Sequence, residues 1–344
     1  MTTRSTCLVP HPRTAAIEVF ANLSASLLDR REGVAAIGVD VGGTKLAFGL
    51  LDASSLALLA RSELPTRRER GGQAVLDDVE TEAAAFARRA TELGRRVVGI
   101  GIGVPEIVDL DGRITTSGVI PQWDGLPIGA TLAAVAPAHV EADVRAAAFA
   151  EAMLGAGRDF RYFLFLTLGT GISFSAVWDG RPIAGARGGA LNIGTSVLSD
   201  RFVDDPEAQP LVLEQIASGS ALVERYVARG GKARRAEDVL AAVKRGDEKA
   251  RAVVDEGAKA LGIGVALLVN LFDPEAVVVG GGLGSADTLY GPLVEEWARS
   301  YMHSEAASSI PIRRAQLGPD AGVIGAGLVG LVQQGDARHA LPDP

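Results

Sequence analysis

The chain has 344 residues, of which 47% are hydrophobic, 5% are aromatic and 22% are charged, and its formal net charge is −8. This length suits two domains that share a cleft, and a core of Ala, Val, Leu and Ile favours strands covered by helices, an α/β fold. The acidic charge argues against nucleic acid or an anionic membrane surface as a partner, since either would require a basic face.

A single cysteine, Cys7, excludes a disulfide framework and a thiolate metal cluster. The first residues lack the continuous apolar stretch of a signal peptide, and no apolar run reaches the roughly 18 residues of a membrane-spanning helix. We therefore expect a cytoplasmic protein.

Composition and periodicity divide the chain into four parts. Residues 1–33 are predicted to be an N-terminal extension with a short amphipathic helix, and 34–135 an N-terminal α/β domain. Residues 136–320 would form a C-terminal α/β domain, and 321–344 a C-terminal helix that packs back on the N-terminal domain, followed by a tail.

The first element of each domain has the same pattern, an apolar strand, a glycine turn and a second apolar strand. AAIGVDVGGTKLAFGLLDASS begins at residue 35 and YFLFLTLGTGISFSAVWDGRP at residue 162, and an offset of about 127 residues relates them. This repeat predicts a duplicated fold of β-hairpins extended by βα units. The matched pairs are Gly42 with Gly169, Gly43 with Thr170, and Asp52 with Asp179.

The first turn, Asp40-Val-Gly-Gly-Thr-Lys45, is the most specific signal. Gly42 and Gly43 lack Cβ atoms, so backbone N–H groups can turn toward a phosphate, while Thr44 offers a hydroxyl group and Lys45 a positive charge. Asp40 could hold a Mg²⁺ ion through a water molecule. The alternative is an ordinary tight hairpin turn.

Later glycine turns follow apolar strands in the same way. Gly169, Thr170 and Gly171 repeat the first turn, which favours a phosphate clamp over a plain hairpin. Gly280, Gly281 and Gly282 end the strand AVVVG, where the backbone can approach a flat ligand such as adenosine or can form a plain turn.

Asp143 follows a short predicted strand and opens the Ala-rich helix of HVEADVRAAAFAEAMLGAG, which is expected to stop near Gly155 or Gly157. One interpretation is a helix N-cap, which Asp favours. The other is a carboxylate at the domain junction that accepts the proton of an attacking hydroxyl group in phosphoryl transfer.

With these motifs in order, the sequence resembles the ROK family, which includes sugar kinases such as bacterial glucokinases. The resemblance runs from about residue 35 to residue 334 and is carried by DVGGTK, GIGVP, QWDG, EADVRAAA, LGTGI, RGGALNIG, LEQIASG and GGGLG. It implies a two-domain actin and hexokinase-like (ribonuclease H-like) fold, a kinase that uses ATP and Mg²⁺, a small-molecule polyol or sugar substrate, and a homodimer.

The family's functional residues carry over position by position. The catalytic base matches Asp143, and the phosphate and metal turn matches Asp40 to Lys45. A sugar-binding glutamate matches Glu214, whose alternative is a solvated residue at a helix start. Asp124 of QWDG also falls in the implied substrate site.

Departures from the family pattern lie mostly around the acceptor. Ala142 and Arg145 stand where relatives usually have Asn, and Asn192-Ile-Gly-Thr195 replaces Glu-Ile-Gly-His. Glu106 replaces the last glycine of GxPG and could face the acceptor or cap a loop. The family's structural zinc uses the lost histidine and a cysteine cluster, so we predict no zinc.

An altered acceptor site beside intact phosphate turns favours a cyclitol or an amino sugar over glucose, because a polar site cannot exchange its partners and keep the same ligand. Two alternatives come from other classes, a catalytically degenerate sugar sensor or regulator and an ATPase of the wider actin and Hsp70 group. A transcriptional repressor would require a DNA-binding domain or basic patch, and the sequence shows neither.

Overall fold

The computed structural model describes residues 32–198, 211–285 and 287–332. The helix expected in the N-terminal extension and the tail after residue 332 lie outside the described residues.

Strands in the described part of the chain form two five-stranded sheets, ordered β3-β2-β1-β4-β5 and β10-β9-β6-β7-β8. Their bounds are β1 Val34–Val41, β2 Lys45–Asp52, β3 Leu58–Pro65, β4 Arg96–Val104, β5 Ala138–Ala142, β6 Tyr162–Leu168, β7 Ile172–Trp178, β8 Arg181–Pro182, β9 Ala276–Gly280 and β10 Ile312–Arg314.

Both sheets have one topology, which confirms the predicted duplication. In each sheet, three strands pair antiparallel in chain order, and two later strands add in parallel on the other side of the first. The hairpin turns differ in length, since four residues separate the paired Val41 and Leu46 but three separate the paired Leu168 and Ile172. The offset that relates the two hairpins is therefore 127 residues before the turn and 126 residues after it.

Helices cover the sheets and connect the parallel strands. Their bounds are α1 Gly72–Glu92, α2 Ile128–Leu132, α3 Asp143–Leu154, α4 Leu213–Ala217, α5 Gly219–Ala228, α6 Ala236–Lys244, α7 Glu248–Phe272, α8 Gly282–Ser285, α9 Tyr290–Tyr301, α10 Glu305–Ser308 and α11 Ala321–Val332. None of these described helices is both long and apolar enough to cross a bilayer.

The first sheet extends beyond the sequence-based domain boundary at residue 135. Strand β5 pairs in parallel with β4, with Val140 beside Ile102. The chain therefore leaves this sheet only at Ala142, where α3 begins.

Helix α3 lies between the two sheets and is buried on two sides. Its Ala148 and Ala152 pack with Phe163 and other residues of the second sheet, while Phe149 and Met153 pack against α11. Short alanine side chains allow this close approach, which explains the composition of the helix.

A buried carboxylate joins the two places where the chain passes between the sheets. Glu151, in α3, is fully buried, and it accepts hydrogen bonds from the backbone N–H groups of Gln316 and Leu317, at 3.0 and 2.8 Å. Those two residues lie in the segment that leads from β10 back to α11. Both crossings are therefore tied to one side chain.

Helix α11 rests on the first sheet at backbone contact distance. A Cβ atom on Gly101 would lie 1.7 Å from the carbonyl oxygen of Ala326, and one on Gly38 would lie 2.0 Å from that of Val323. Glycines in β1 and β4 therefore place the N-terminal turn of α11 beside the end of β1.

Candidate active site

The first glycine turn connects β1 to β2 and is held by hydrogen bonds from a residue outside the turn. The Gly42 N–H group donates to the Lys45 carbonyl oxygen at 2.9 Å. Buried Thr66 donates its hydroxyl group to the Gly42 carbonyl oxygen at 2.6 Å and its N–H group to that of Thr44 at 3.0 Å. Lys45 Nζ forms an exposed ion pair with Glu63 at 2.6 Å. The segment after β3 therefore fixes the shape of the turn.

Asp40 lies at the end of β1, where its carboxyl group faces the first turn of α11. A Cβ atom on Gly322 would lie 2.5 Å from one of its oxygens, and this carboxyl group accepts no hydrogen bond from any residue that the structure describes. Burial raises the pKa of Asp40 to about 6, although the charge of Lys45 opposes the shift.

Asp143 is the first residue of α3 and not its N-cap. Ala142 occupies the cap position because β5 runs directly into the helix, and the Asp143 carboxylate accepts from the Val144 N–H group at 2.6 Å. Burial, with a further contribution from the charge of Asp40, raises the pKa of Asp143 to about 7. A carboxyl group that titrates near neutrality suits proton acceptance from a hydroxyl group.

Glu106 anchors the loop that follows β4. Its carboxylate accepts from the Thr116 hydroxyl group at 2.6 Å and from the N–H groups of Gly118, Val119 and Ile120 at 3.0, 2.7 and 3.2 Å. Four donors occupy both oxygens, so the contacts match the loop-cap alternative.

Asp124 is exposed on the same loop. Its carboxylate accepts from the Ser117 hydroxyl group, and Ser117 Oγ accepts in turn from the N–H groups of Trp123 and Asp124 at 3.0 and 2.9 Å. Trp123 is buried, and its indole N–H group has no hydrogen-bond partner in the described part of the chain.

The second glycine turn, between β6 and β7, meets the N-terminus of α5. The Gly219 N–H group donates to the Gly169 carbonyl oxygen at 2.8 Å, and the Ser220 N–H group donates to that of Thr170 at 3.2 Å. This arrangement fixes the turn at the edge of the second domain.

The third glycine turn lies against the second. Gly281 has a φ of +81°, and a Cβ atom there would lie 2.4 Å from the Leu168 carbonyl oxygen, so only glycine fits. Gly280 ends β9 and Gly282 starts α8. The backbone nitrogen of Gly282 lies 3.7 Å from where a Cβ atom on Gly169 would lie. The structure therefore brings 169–171 and 280–282 together.

Three predicted acceptor residues gather near the second turn. Glu214 accepts from the Ile172 N–H group at 2.9 Å and lies 2.8 Å from where a Cβ atom on Gly171 would lie. Asn192 and Thr195 are exposed, and the Thr195 hydroxyl group donates to the Asn192 carbonyl oxygen at 3.1 Å. Whether they contact an acceptor stays a prediction.

Arg145 makes contacts that the sequence did not predict. In the sequence it stood out only as a departure from the family pattern. Its buried guanidinium pairs with Glu141 at 2.5 Å and donates to the carbonyl oxygens of Gly188 at 2.5 Å and Val108 at 3.0 Å. It therefore joins the loop after β4 to the loop that contains RGGALNIG.

A cavity of about 560 Å³ lies beside Arg145 and Glu141, along β5. Residues 109–115 and 125–130 form most of its remaining wall. The predicted acceptor residues Glu106, Asp124 and Asn192 do not line it.

Among the described residues, no group of three or more His, Cys, Asp or Glu side chains could hold a metal ion by itself. The absence of zinc stays a prediction. Mg²⁺ is commonly bound by one or two carboxylates together with phosphate oxygens and water. The Asp40 carboxylate, beside Asp143 and without a hydrogen-bond partner in the described chain, fits that ion.

The chain is similar to known proteins over most of its length. The profile of the ROK family matches residues 36–334. A glucokinase of Halalkalibacterium halodurans is 30% identical over 313 residues, covering 85% of this chain and 93% of that protein.

Two crystal structures extend the likeness to the fold. A ROK hexokinase from Thermus thermophilus superimposes with a TM-score of 0.74 at 34% identity, over 88% of this chain and 100% of that one. A ROK family glucokinase from Streptomyces griseus, in complex with glucose and AMPPNP, gives 0.71 at 28% identity over the same shares.

Proposed function

The chain belongs to the ROK family, and we propose that it is a sugar kinase that transfers the terminal phosphoryl group of ATP to a primary hydroxyl group of a sugar-like small molecule. The observation that carries the proposal is Asp143, a carboxyl group with a pKa near 7 at the start of a helix held between both sheets.

Asp143 would be the general base. The acceptor hydroxyl group would donate a hydrogen bond to its carboxylate, and the hydroxyl oxygen would attack the terminal phosphorus as the bond to the departing ADP breaks. The hydroxyl proton then passes to Asp143, whose raised pKa makes it a better acceptor than an exposed aspartate.

The glycine turns would bind the nucleotide. The first turn, which Thr66 holds in place, and the second turn would receive the phosphates, and the third turn, which lies against the second, would receive the adenosine. Asp40 would hold Mg²⁺ through a water molecule, and the ion would neutralise charge on the phosphate oxygens. The glucokinase solved with AMPPNP supports ATP as the donor.

The acceptor we favour is a cyclitol or an amino sugar. Arg145, in place of the family's Asn, is committed to Glu141 and two backbone carbonyl groups, so it is not free to bind a sugar hydroxyl group as an amide would. A polar site changed in this way changes its ligand, because the partners of the old ligand are lost.

A catalytically degenerate sensor is the second candidate, and the same substitutions favour it. The retained Asp40, Lys45, Thr170 and Asp143 favour the kinase. Acceptor-dependent turnover separates the two.

The test is an ADP-release assay with ATP and Mg²⁺ over hexoses, amino sugars and cyclitols. We expect release that depends on a cyclitol or an amino sugar, and we expect Asp143→Asn to lower it by about 100- to 10,000-fold while ATP affinity is nearly unchanged. Asp111→Asn, which removes an exposed carboxylate, is the matched control. Strong turnover of glucose alone would contradict the acceptor class, and near-normal turnover of Asp143→Asn would contradict the base.

A further inference from the structure

An arginine outside the family motifs lies beside the first glycine turn. A Cβ atom on Gly43 would lie 3.7 Å from Nη1 of Arg68 and 3.1 Å from a methyl carbon of Val119. The guanidinium therefore stands next to the tip of the turn, on the side where the loop that Glu106 anchors approaches it.

The segment that carries Arg68 is fastened at both ends. Thr66 binds the glycine turn through two hydrogen bonds, and the Gly72 N–H group donates to the Pro121 carbonyl oxygen at 2.7 Å. The backbone of Arg67 is left-handed, with φ of +47°, as the chain turns into the short helical turn that begins at Arg68. The segment therefore spans the gap between the phosphate turn and the loop after β4.

The side chain of Arg68, like that of Arg67, has no partner among the described residues. Arg70 pairs with Asp78, Arg61 pairs with Glu63 and Asp320, and Lys45 also pairs with Glu63. The exposed guanidinium of Arg68 forms no hydrogen bond and no ion pair with the described residues; only the Arg68 carbonyl oxygen accepts, from the Gly71 N–H group at 3.0 Å. A fixed backbone thus presents an uncommitted guanidinium where the turn would receive phosphates.

We propose that Arg68 binds the terminal phosphoryl group of the nucleotide donor, an inference that rests on the proposed function. A guanidinium donates paired hydrogen bonds to phosphate oxygens and carries a permanent positive charge. As the bond from the acceptor oxygen to phosphorus forms and the bond to ADP breaks, the phosphoryl oxygens stay in contact with Arg68. Arg68 keeps its protons, and the hydroxyl proton still goes to Asp143.

The experiment compares Arg68→Gln and Arg68→Lys with Arg96→Gln. Arg96 is also exposed, but it begins β4, at the end of the sheet opposite the turn. We expect Arg68→Gln to lower kcat/KM for ATP by roughly 10- to 100-fold and to weaken equilibrium binding of ATP while ADP affinity stays the same. Arg68→Lys should recover part of the loss, and Arg96→Gln should behave as wild type.

Three outcomes would overturn the assignment. They are an unchanged kcat/KM for ATP in Arg68→Gln, an equal loss of ATP and ADP affinity, and a loss confined to KM for the acceptor. If the wild-type protein turns over no acceptor, the proposed function fails, and the ATP-against-ADP binding of Arg68→Gln still decides the role of Arg68. Equal melting temperatures of the variants and wild type establish that the fold is kept.

Discussion

The charge of Asp40 acts on Asp143 across the start of α3, and together with burial it raises the pKa of Asp143 to about 7. One carboxyl group ends the first strand of the sheet and the other follows the last, so the parallel arrangement of β1, β4 and β5 brings them together. Two acidic groups in one place ionise reluctantly until a cation joins them.

The first prediction concerns the pH dependence of turnover. A base must be deprotonated, so kcat/KM should fall as the pH drops through about 7, the pKa of Asp143, and fall more steeply below about 6, that of Asp40. Initial rates of ADP release from about pH 5 to about pH 9 would measure this. A flat profile over that range would contradict the assignment of both groups.

The second prediction is that Asp143→Asn stabilises the protein above neutral pH. The folded-state pKa of about 7 exceeds the ordinary value of 3.8, so the folded chain holds the proton more tightly, and stability is lost as the pH rises from about 4 to about 7. The amide removes this cost, and we expect its melting temperature to exceed that of wild type by at least about 2 °C near pH 8. At about pH 4 the melting temperatures of the variant and the wild type should differ little. A difference that grows toward acidic pH would contradict the prediction.

The third prediction concerns Arg145. Arg145→Ala leaves Glu141 without its buried partner and frees the carbonyl groups of Val108 and Gly188, so the free energy of unfolding should fall by about 2–3 kcal/mol. Arg113→Ala removes an ion pair whose arginine is 76% exposed, and should cost less than about 0.5 kcal/mol. Denaturant unfolding would measure both, and equal losses would show that the loop contacts contribute nothing.

The fourth prediction concerns the close packing of α11 against the first sheet. Gly101→Ala would put a methyl group 1.7 Å from the Ala326 carbonyl oxygen, so the helix must shift, at a cost of about 3 kcal/mol or more. Gly291→Ala places its methyl group in open space within α9 and should be neutral or stabilising by up to about 1 kcal/mol. Urea midpoints that coincide for the two variants would contradict the packing described above.

Local patterns revealed the duplicated sheets because strands and glycine turns leave a signal over a few neighbouring residues. The same reasoning placed the end of α3 near Gly155 or Gly157, and Gly155 is its C-cap. It also placed a short strand before Asp143, which is β5. With the domain boundary at residue 135 this strand fell in the second domain, whereas it pairs with β4 of the first sheet. The N-cap interpretation of Asp143 was wrong, because Ala142 occupies the cap position and the helix begins at Asp143.

Contacts between distant residues left no such signal. Arg145 reaches carbonyl groups 37 and 43 positions away in sequence, and backbone carbonyls carry no residue identity. Arg68 was likewise one basic residue in a charged run, and only its position beside Gly43 distinguishes it. For Arg145 the sequence offered one hint, the replacement of the family's Asn, but this change of residue type did not indicate which groups the arginine contacts.

The carboxylate of Glu151 has a mechanical consequence. It binds the second connection between the two sheets to the helix that forms the first, so a rotation of one sheet against the other would have to keep these contacts or break them. Asp143 lies eight residues away on the same rigid helix, about 12 Å along it. A rotation of the helix about Glu151 would displace Asp143 more than residues next to Glu151, so we expect the hydrogen bonds of Glu151 to influence the position of the proposed base.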